Sequence, residues 1–200
     1  MVPARERINS ALIIFFNYKS LCMKNRLIIL TLALFSFHAN GQRPSDTLEK
    51  GTTNEFTDRF AITELINNYS RFADRREAEK QANLFADSAT IEIYHSEPKN
   101  NKPDTVLIGK KAFITGFEIL KKYDVTMHFN GQSTIHINGD SAVGEVYCLA
   151  HHLWTENGKR MLMVMGIRYY DTYVRKNDNW LFAKRRLVFD WIDKRPSTAE

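Results

Sequence analysis

The chain predicts an α+β fold in which helices come first and an antiparallel sheet follows, with the helices packed on one face of the sheet. Three features predict it. Apolar residues recur at helical spacing as far as residue 122 and alternate at strand spacing from residue 126 onward. The alternating segments are joined by Asn138-Gly139-Asp140, Glu156-Asn157-Gly158 and residues 176–179, which have hairpin-turn composition, with Asn-Gly at two of the three. Finally, 200 residues that are 44% hydrophobic and 12% aromatic suffice for one buried core, which argues against global disorder and for one domain with appendages.

The chain opens on an address. From Met23 a short basic start, Met-Lys-Asn-Arg, leads into an apolar run over residues 27–37 and then Ala39-Asn40-Gly41-Gln42. That is the pattern of a secretory signal peptide, cleaved here after Gly41. The run is shorter than the roughly 20 residues of a membrane span. Residues 1–41 are therefore the signal region, with Met23 an alternative initiator, and the mature protein is expected in the periplasm or the extracellular medium, off the membrane and away from cytosolic nucleotide cofactors. Cys22 precedes the apolar run, so Cys148 is left as one thiol with no internal disulfide and no cysteine metal site. Residues 42–53 are polar and aperiodic and read as a flexible leader. The domain follows over residues 54–192, and residues 193–200 are a C-terminal tail.

Within the domain, residues 56–73 place Phe60, Ile62, Leu65, Ile66, Tyr69 and Phe72 at amphipathic-helix spacing, with Asn54 or Thr57 to cap it. A second helix covers residues 77–85, followed by an Ala-Asp-Ser turn. A strand follows over 90–94 and a polar, Pro-containing loop over 96–104. Residues 109–122 carry Ala112, Phe113, Phe117, Ile119 and Leu120 and form a third helix. Strands over 126–137, 141–154, 160–176 and 180–190 complete the meander. In the second of these Val146, Cys148, Ala150 and His152 share one face, and Tyr147, Leu149 and His151 the other. Both faces carry apolar groups, so both are expected to be covered, by helices or by a partner subunit. The formal net charge of +5 is spread along the chain. No basic stripe alternates with aromatics, so nucleic acid is not an expected partner.

Two groups of motifs resemble a known family. The run from Ala61 through Ile66-Asn67-Asn68-Tyr69, then Phe72-Ala73-Asp74 and Leu84-Phe85-Ala86-Asp87-Ser88-Ala89, is similar to the opening of SnoaL-like proteins of the nuclear-transport-factor-2-like superfamily. Asn138-Gly139-Asp140-Ser141-Ala142, Arg168-Tyr169-Tyr170-Asp171 and the run from Trp180 to Arg186 resemble the family's later strands. The resemblance covers nearly everything after residue 55 and is nearest to the branch of scytalone dehydratase, bile-acid 7α-dehydratase and hexachlorocyclohexane dehydrochlorinase. It implies a cone-shaped, curved mixed or antiparallel sheet wrapped by N-terminal helices, the cystatin-like α+β barrel, with a site inside the cone. It also implies a homo-oligomer, a trimer or dimer, and a cofactor-free lyase (dehydratase-like) or isomerase. In that branch an Asp of the first helix pairs with a His at the start of a strand, and an Arg stands on the last strand. The matching residues are Asp74, His128 and Arg185, with Tyr69 where bile-acid dehydratase has a Tyr.

The chemistry of these residue types agrees with that role. Eliminating water, or isomerising beside a carbonyl, needs a base near neutral pKa, and His128 is the candidate. Asp74 would fix its tautomer and stabilise the imidazolium; otherwise it is a helix-end acid paired with Arg75 or Arg76. His128 is otherwise a core histidine. Tyr69 is either a hydrogen-bond donor to substrate oxygen or core packing. Arg185 offers fixed positive charge, and strand parity leaves open whether it or Arg186 faces the pocket. Cys148, Met163, Met165, Tyr169 and Phe189 are candidates for an apolar wall around a small hydrophobic hydroxylated or carbonyl compound, with His152 as a polar contact. His151 and His152 are adjacent on a strand, face opposite ways and make no metal site. Two other readings of the fold stand beside this one. It could be a non-catalytic small-ligand-binding or assembly subunit, or an isomerase in which a lone carboxylate deep in the cavity is the base.

Overall fold

The computed structural model describes residues 50–95 and 102–198, with side chains from residue 55 onward. The signal region, Cys22, most of the leader, most of the loop over 96–104 and the end of the tail lie outside the described residues. The elements are α1 (Lys50–Asp74), α2 (Ala78–Ala82), β1 (Phe85–Tyr94), β2 (Thr105–Ile108), α3 (Gly109–Phe117) with a 3₁₀ turn (Glu118–Lys122), β3 (Val125–Asn138), β4 (Ser141–Glu156), β5 (Lys159–Lys176) and β6 (Asn179–Pro196).

The turns behave as their composition dictates. Asn157 and Gly158 take φ of 51° and 70°, and Asn177 and Asp178 take 48° and 62°. Paired left-handed residues give a two-residue turn whose twist matches the strands it joins. They fix Glu156 opposite Lys159 and Lys176 opposite Asn179. The result is a six-stranded sheet in the order β2-β1-β6-β5-β4-β3. Neighbours are antiparallel except β1 and β6, which run parallel. The sheet is curved but unclosed, with β2 and β3 as its edges.

Several boundaries depart from the sequence reading. Helix α1 begins at Lys50, inside the stretch read as leader. Residues 86–88, read as a turn, belong to β1, which pairs with β6 at Phe85 and again from Thr90 with a register shift between. β2 arises from four residues just after the loop, paired with β1 from Thr90 to Ile93. The third helix tightens to 3₁₀ at Glu118. β6 runs past residue 192 because β5 continues beside it, Met161 pairing with Pro196. The strand changes follow from partner strands distant in sequence, which local composition does not reveal.

The buried stripe of α1 is Ile62, Leu65, Ile66, Tyr69 and Ala73, the spacing of one helical face; Phe60, expected there, is 61% exposed. The stripe joins a core with Val146, Cys148, Ala150, Ile167, Tyr169, Tyr173 and Phe182 of the sheet's inner face. The outer face carries exposed Met127, Phe129, Tyr147, Leu149 and Trp191. Among the described residues of the single chain, therefore, one face of the sheet is covered and the other is not.

Asp58 ties α1 to the far ends of β5 and β6, accepting hydrogen bonds from Arg175 Nη2 and, at 3.1 Å, from Trp180 Nε1. Burial alone would raise its pKa, but these donors and the Arg175 charge prevail and hold it below the usual carboxylate range. A depressed carboxyl stabilises the fold above the unfolded-chain pKa of about 3.9 and loses that contribution as pH falls through the folded value. Asp58→Ala should cost about 1.5–3 kcal/mol at pH 7, as for hydrogen bonds to a charged group. Urea titration of both proteins at pH 7 and pH 3 should show the gap narrowing at the lower pH.

Candidate active site

Helix α1 ends at Asp74 because the chain turns left-handed at Arg76, with φ of 61°, a conformation unfavourable for a side chain with a Cβ. The Arg76 guanidinium holds that turn in place. It donates to the Asp74 carbonyl at 2.7 Å, to Thr126 Oγ1 at 2.7 Å and to the Tyr123 carbonyl at 3.2 Å. The arginine therefore serves the Asp74 backbone and leaves the carboxylate to β3. There Oδ1 accepts from Thr126 Oγ1 at 3.0 Å and faces His128 Nδ1 at 2.7 Å, while Oδ2 accepts the His128 backbone N–H at 3.0 Å.

One carboxylate thus grips both the backbone and the ring of His128. With Nδ1–H donating to Asp74, the other ring nitrogen, Nε2, is the one that can accept a proton. Burial would raise the Asp74 pKa, yet the hydrogen bonds from the His128 ring and backbone lower it below the ordinary range, so the carboxyl is ionised at neutral pH. The His128 side chain is 8% exposed.

His128 stands in the wall of a cavity of about 490 Å³, within the range of small-molecule sites. Of the residues expected to line it, Tyr69, His152, Met163, Met165, Tyr169 and Phe189 do so. His152 lies on β4, diagonal to His128, because it pairs with Thr126, two residues earlier on β3. The rings are 5.4 Å apart, and Tyr123 closes on His152 at 4.3 Å. Burial, then the neighbouring His128 charge, lowers the His152 pKa to about 3, so this ring is neutral. Tyr69 sits among Phe85, Phe117, Tyr169 and Phe182 at 5.7–6.0 Å and lines the cavity as well, so packing and wall are one surface here. Burial, only partly opposed by Arg185, raises its pKa, so its hydroxyl stays protonated and can donate.

Two expected site residues are placed elsewhere. Cys148 is 3% exposed and does not line this cavity; burial pushes its thiol up to about 11, the Tyr169 hydroxyl offsetting only part. Arg185 faces inward, as strand parity allowed, but is fully enclosed and paired with Asp171. Its guanidinium lies 4.0 Å from the Tyr69 and Tyr169 ring centres. The aromatic rings, not the cation, meet the cavity. Arg186 is partly exposed and turns toward Glu92. Among the wall residues not anticipated are Gln81, His95, Lys122 and Tyr123. They come from α2, the β1 end and the 3₁₀ turn, where sequence pattern carries no sign of a shared cavity.

A model of the SnoaL-like domain family matches residues 54–186. An uncharacterized protein of Mycobacterium tuberculosis is 24% identical over 131 residues, 66% of this chain and 84% of that protein. The crystal structure of a candidate scytalone dehydratase from Novosphingobium aromaticivorans is 23% identical and covers 74% of this chain and 94% of its own, with a TM-score of 0.62. A type 2 hexachlorocyclohexane dehydrochlorinase is 17% identical, covering 74% and 95%, with a TM-score of 0.60. These likenesses establish the nuclear-transport-factor-2-like, cystatin-like fold.

Proposed function

Since the chain belongs to the SnoaL-like domain family, we propose that it is a cofactor-free lyase or isomerase acting through Asp74 and His128 on a small hydrophobic hydroxylated or carbonyl compound. The observation that carries the reading is the 2.7 Å contact between Asp74 Oδ1 and His128 Nδ1, with His128 itself in the cavity wall. The names of both structural relatives describe eliminations, which supports the lyase side.

In the elimination, His128 Nε2 takes a proton from the carbon beside a carbonyl, and Asp74 stabilises the imidazolium that forms. The electron pair of the broken C–H bond becomes the new C=C bond as the C–O bond breaks. The departing hydroxide takes back the imidazolium proton and leaves as water. In an isomerisation the same proton returns to a different carbon. Tyr69, protonated and lining the wall, would donate to the carbonyl oxygen as negative charge develops there. A lone carboxylate base is not the reading adopted, since no acidic side chain lines the wall among the described residues; Asp74 stands behind His128.

The test is turnover of a hydroxy-ketone panel by the wild type, His128→Ala and Asp74→Asn, followed by mass spectrometry. Equal product from all three would remove the mechanism, and no product from any of them would leave a ligand-binding protein of the same shape. Arg76 offers a positioning test, because it lies outside the cavity wall yet holds the helix end that aims Asp74. A displacement of 1 Å in such a site can cost about 100-fold in rate. Arg76→Gly, which relieves the left-handed strain but removes the clamp, should lower kcat by about 10- to 100-fold with KM little changed. Its far-ultraviolet circular dichroism should match the wild type.

A further inference from the structure

The cavity wall is one-sided in charge. Among the described residues, its titratable side chains other than tyrosine are His95, Lys122, His128 and His152, with no aspartate or glutamate. His152 is neutral and buried, and His128 belongs to Asp74. That leaves His95 and Lys122. Both are exposed, and with Thr105, Ile119 and Ile192, the other exposed wall residues, they mark the mouth.

His95 is built like His128. It follows the last residue of β1, and Asp104, just before β2, accepts its backbone N–H at 2.7 Å and faces its Nδ1 at 3.2 Å, both through Oδ2. The Asp104 amide in turn donates to the Ile93 carbonyl at 2.8 Å, so the pair closes the β1–β2 ladder. These bonds, the backbone one first, hold the Asp104 carboxyl below its ordinary range. The ring also stacks on Phe189 of the cavity wall, with centres 5.1 Å apart and planes at 26°. Nδ1 is engaged by Asp104 and the ring plane is fixed by Phe189, so Nε2 is the nitrogen offered at the mouth. An exposed ion pair that served only the surface would need neither the stacking nor a place in the wall.

His95 follows β1 and His128 stands on β3, with β6, β5 and β4 between those two strands in the sheet. Four strand spacings are about 19 Å along the sheet contour, and the chord across a concave face is shorter. The surface between them is apolar: Ile93, Met163, Met165, Ile167, Leu187 and Phe189.

We propose that the substrate is an apolar acid, reacting at His128 and held at the mouth by an anionic, carboxylate-like group on His95, with Lys122 adding positive charge. The proposal names the substrate class for the function proposed above and rests on the same cavity. His95 is a specificity-determining residue in it and Asp104 a positioning residue.

Binding, not turnover, tests this. The purified protein is titrated calorimetrically with 2-naphthoate and with 2-naphthamide, which share a ring system and differ in charge. Near neutral pH the wild type should bind the carboxylate about 10-fold more tightly, the scale of one charge-assisted hydrogen bond. His95→Gln should bring the ratio close to one with amide binding unchanged, and Asp104→Asn should reduce it in part. The proposal is overturned if the two ligands bind alike, if neither binds below about 1 mM, or if His95→Gln keeps the wild-type ratio. His128→Ala separates the two readings. A retained carboxylate preference without turnover anywhere would sink the elimination chemistry alone, and turnover of hydroxy-ketones with a ratio of one would sink anion recognition alone.

Discussion

His128→Ala is expected to lower turnover by about 10²- to 10⁴-fold, the range for removing a positioned general base. Asp74→Asn should approach the same loss, although asparagine fills the same space. An amide can turn its NH₂ toward Nδ1, which leaves Nε2 carrying the proton and unable to accept one. Asparagine also removes the charge that stabilises the imidazolium. The double variant should be little worse than the worse single one, because the two residues act as a unit. Steady-state rates on the best hydroxy-ketone substrate check this, and additive losses would mean that the 2.7 Å contact carries no catalysis. His152 cannot replace His128, since burial and the neighbouring ring hold it down to about 3; it is a weak base at neutral pH.

The split between what could and could not be read in advance has a physical pattern. Hairpin turns were legible because Asn157-Gly158 and Asn177-Asp178 need left-handed φ, which those residue types tolerate. Asp74 and His128 were legible through family motifs, while their contact is a tertiary fact, 54 residues apart in sequence. β2 was missed because four residues, largely exposed, have no local reason to be a strand without β1 beside them. His95 and Asp104 were missed for the same reason, as the pair exists only once that ladder closes. Arg185 was read as a charge offered to the pocket because strand parity cannot show its partner, and only the β5–β6 register, which sets Asp171 opposite it, encloses it as a buried ion pair instead.

That interior pair carries the largest stability effect expected in the molecule. Arg185 Nε and Nη2 donate to the two oxygens of Asp171 at 2.8 and 2.7 Å, and the Tyr173 hydroxyl adds a third bond at 3.0 Å. Burial works against the charge on Arg185, but the Asp171 carboxylate overcomes it and raises the pKa, so the guanidinium is ionised at any pH where the protein folds. Its faces are covered by Tyr69, Tyr169 and Phe182 at 4.0–4.3 Å, and Nη1 has no partner, so the cation already sits at the limit of what its surroundings satisfy. Asp171→Ala leaves that cation buried and unpaired and should cost about 3–5 kcal/mol. Arg185→Met should cost less, because a lone buried carboxyl can neutralise itself by taking a proton whereas a guanidinium cannot give one up. The double variant Asp171→Leu/Arg185→Met should be more stable than Asp171→Ala, since apolar groups of similar volume can replace a buried pair at little net cost. Chemical denaturation of the three proteins would show this ordering. If Asp171→Ala unfolds at the same urea concentration as the wild type, the pair is not what holds Tyr69 and Tyr169 against the cavity.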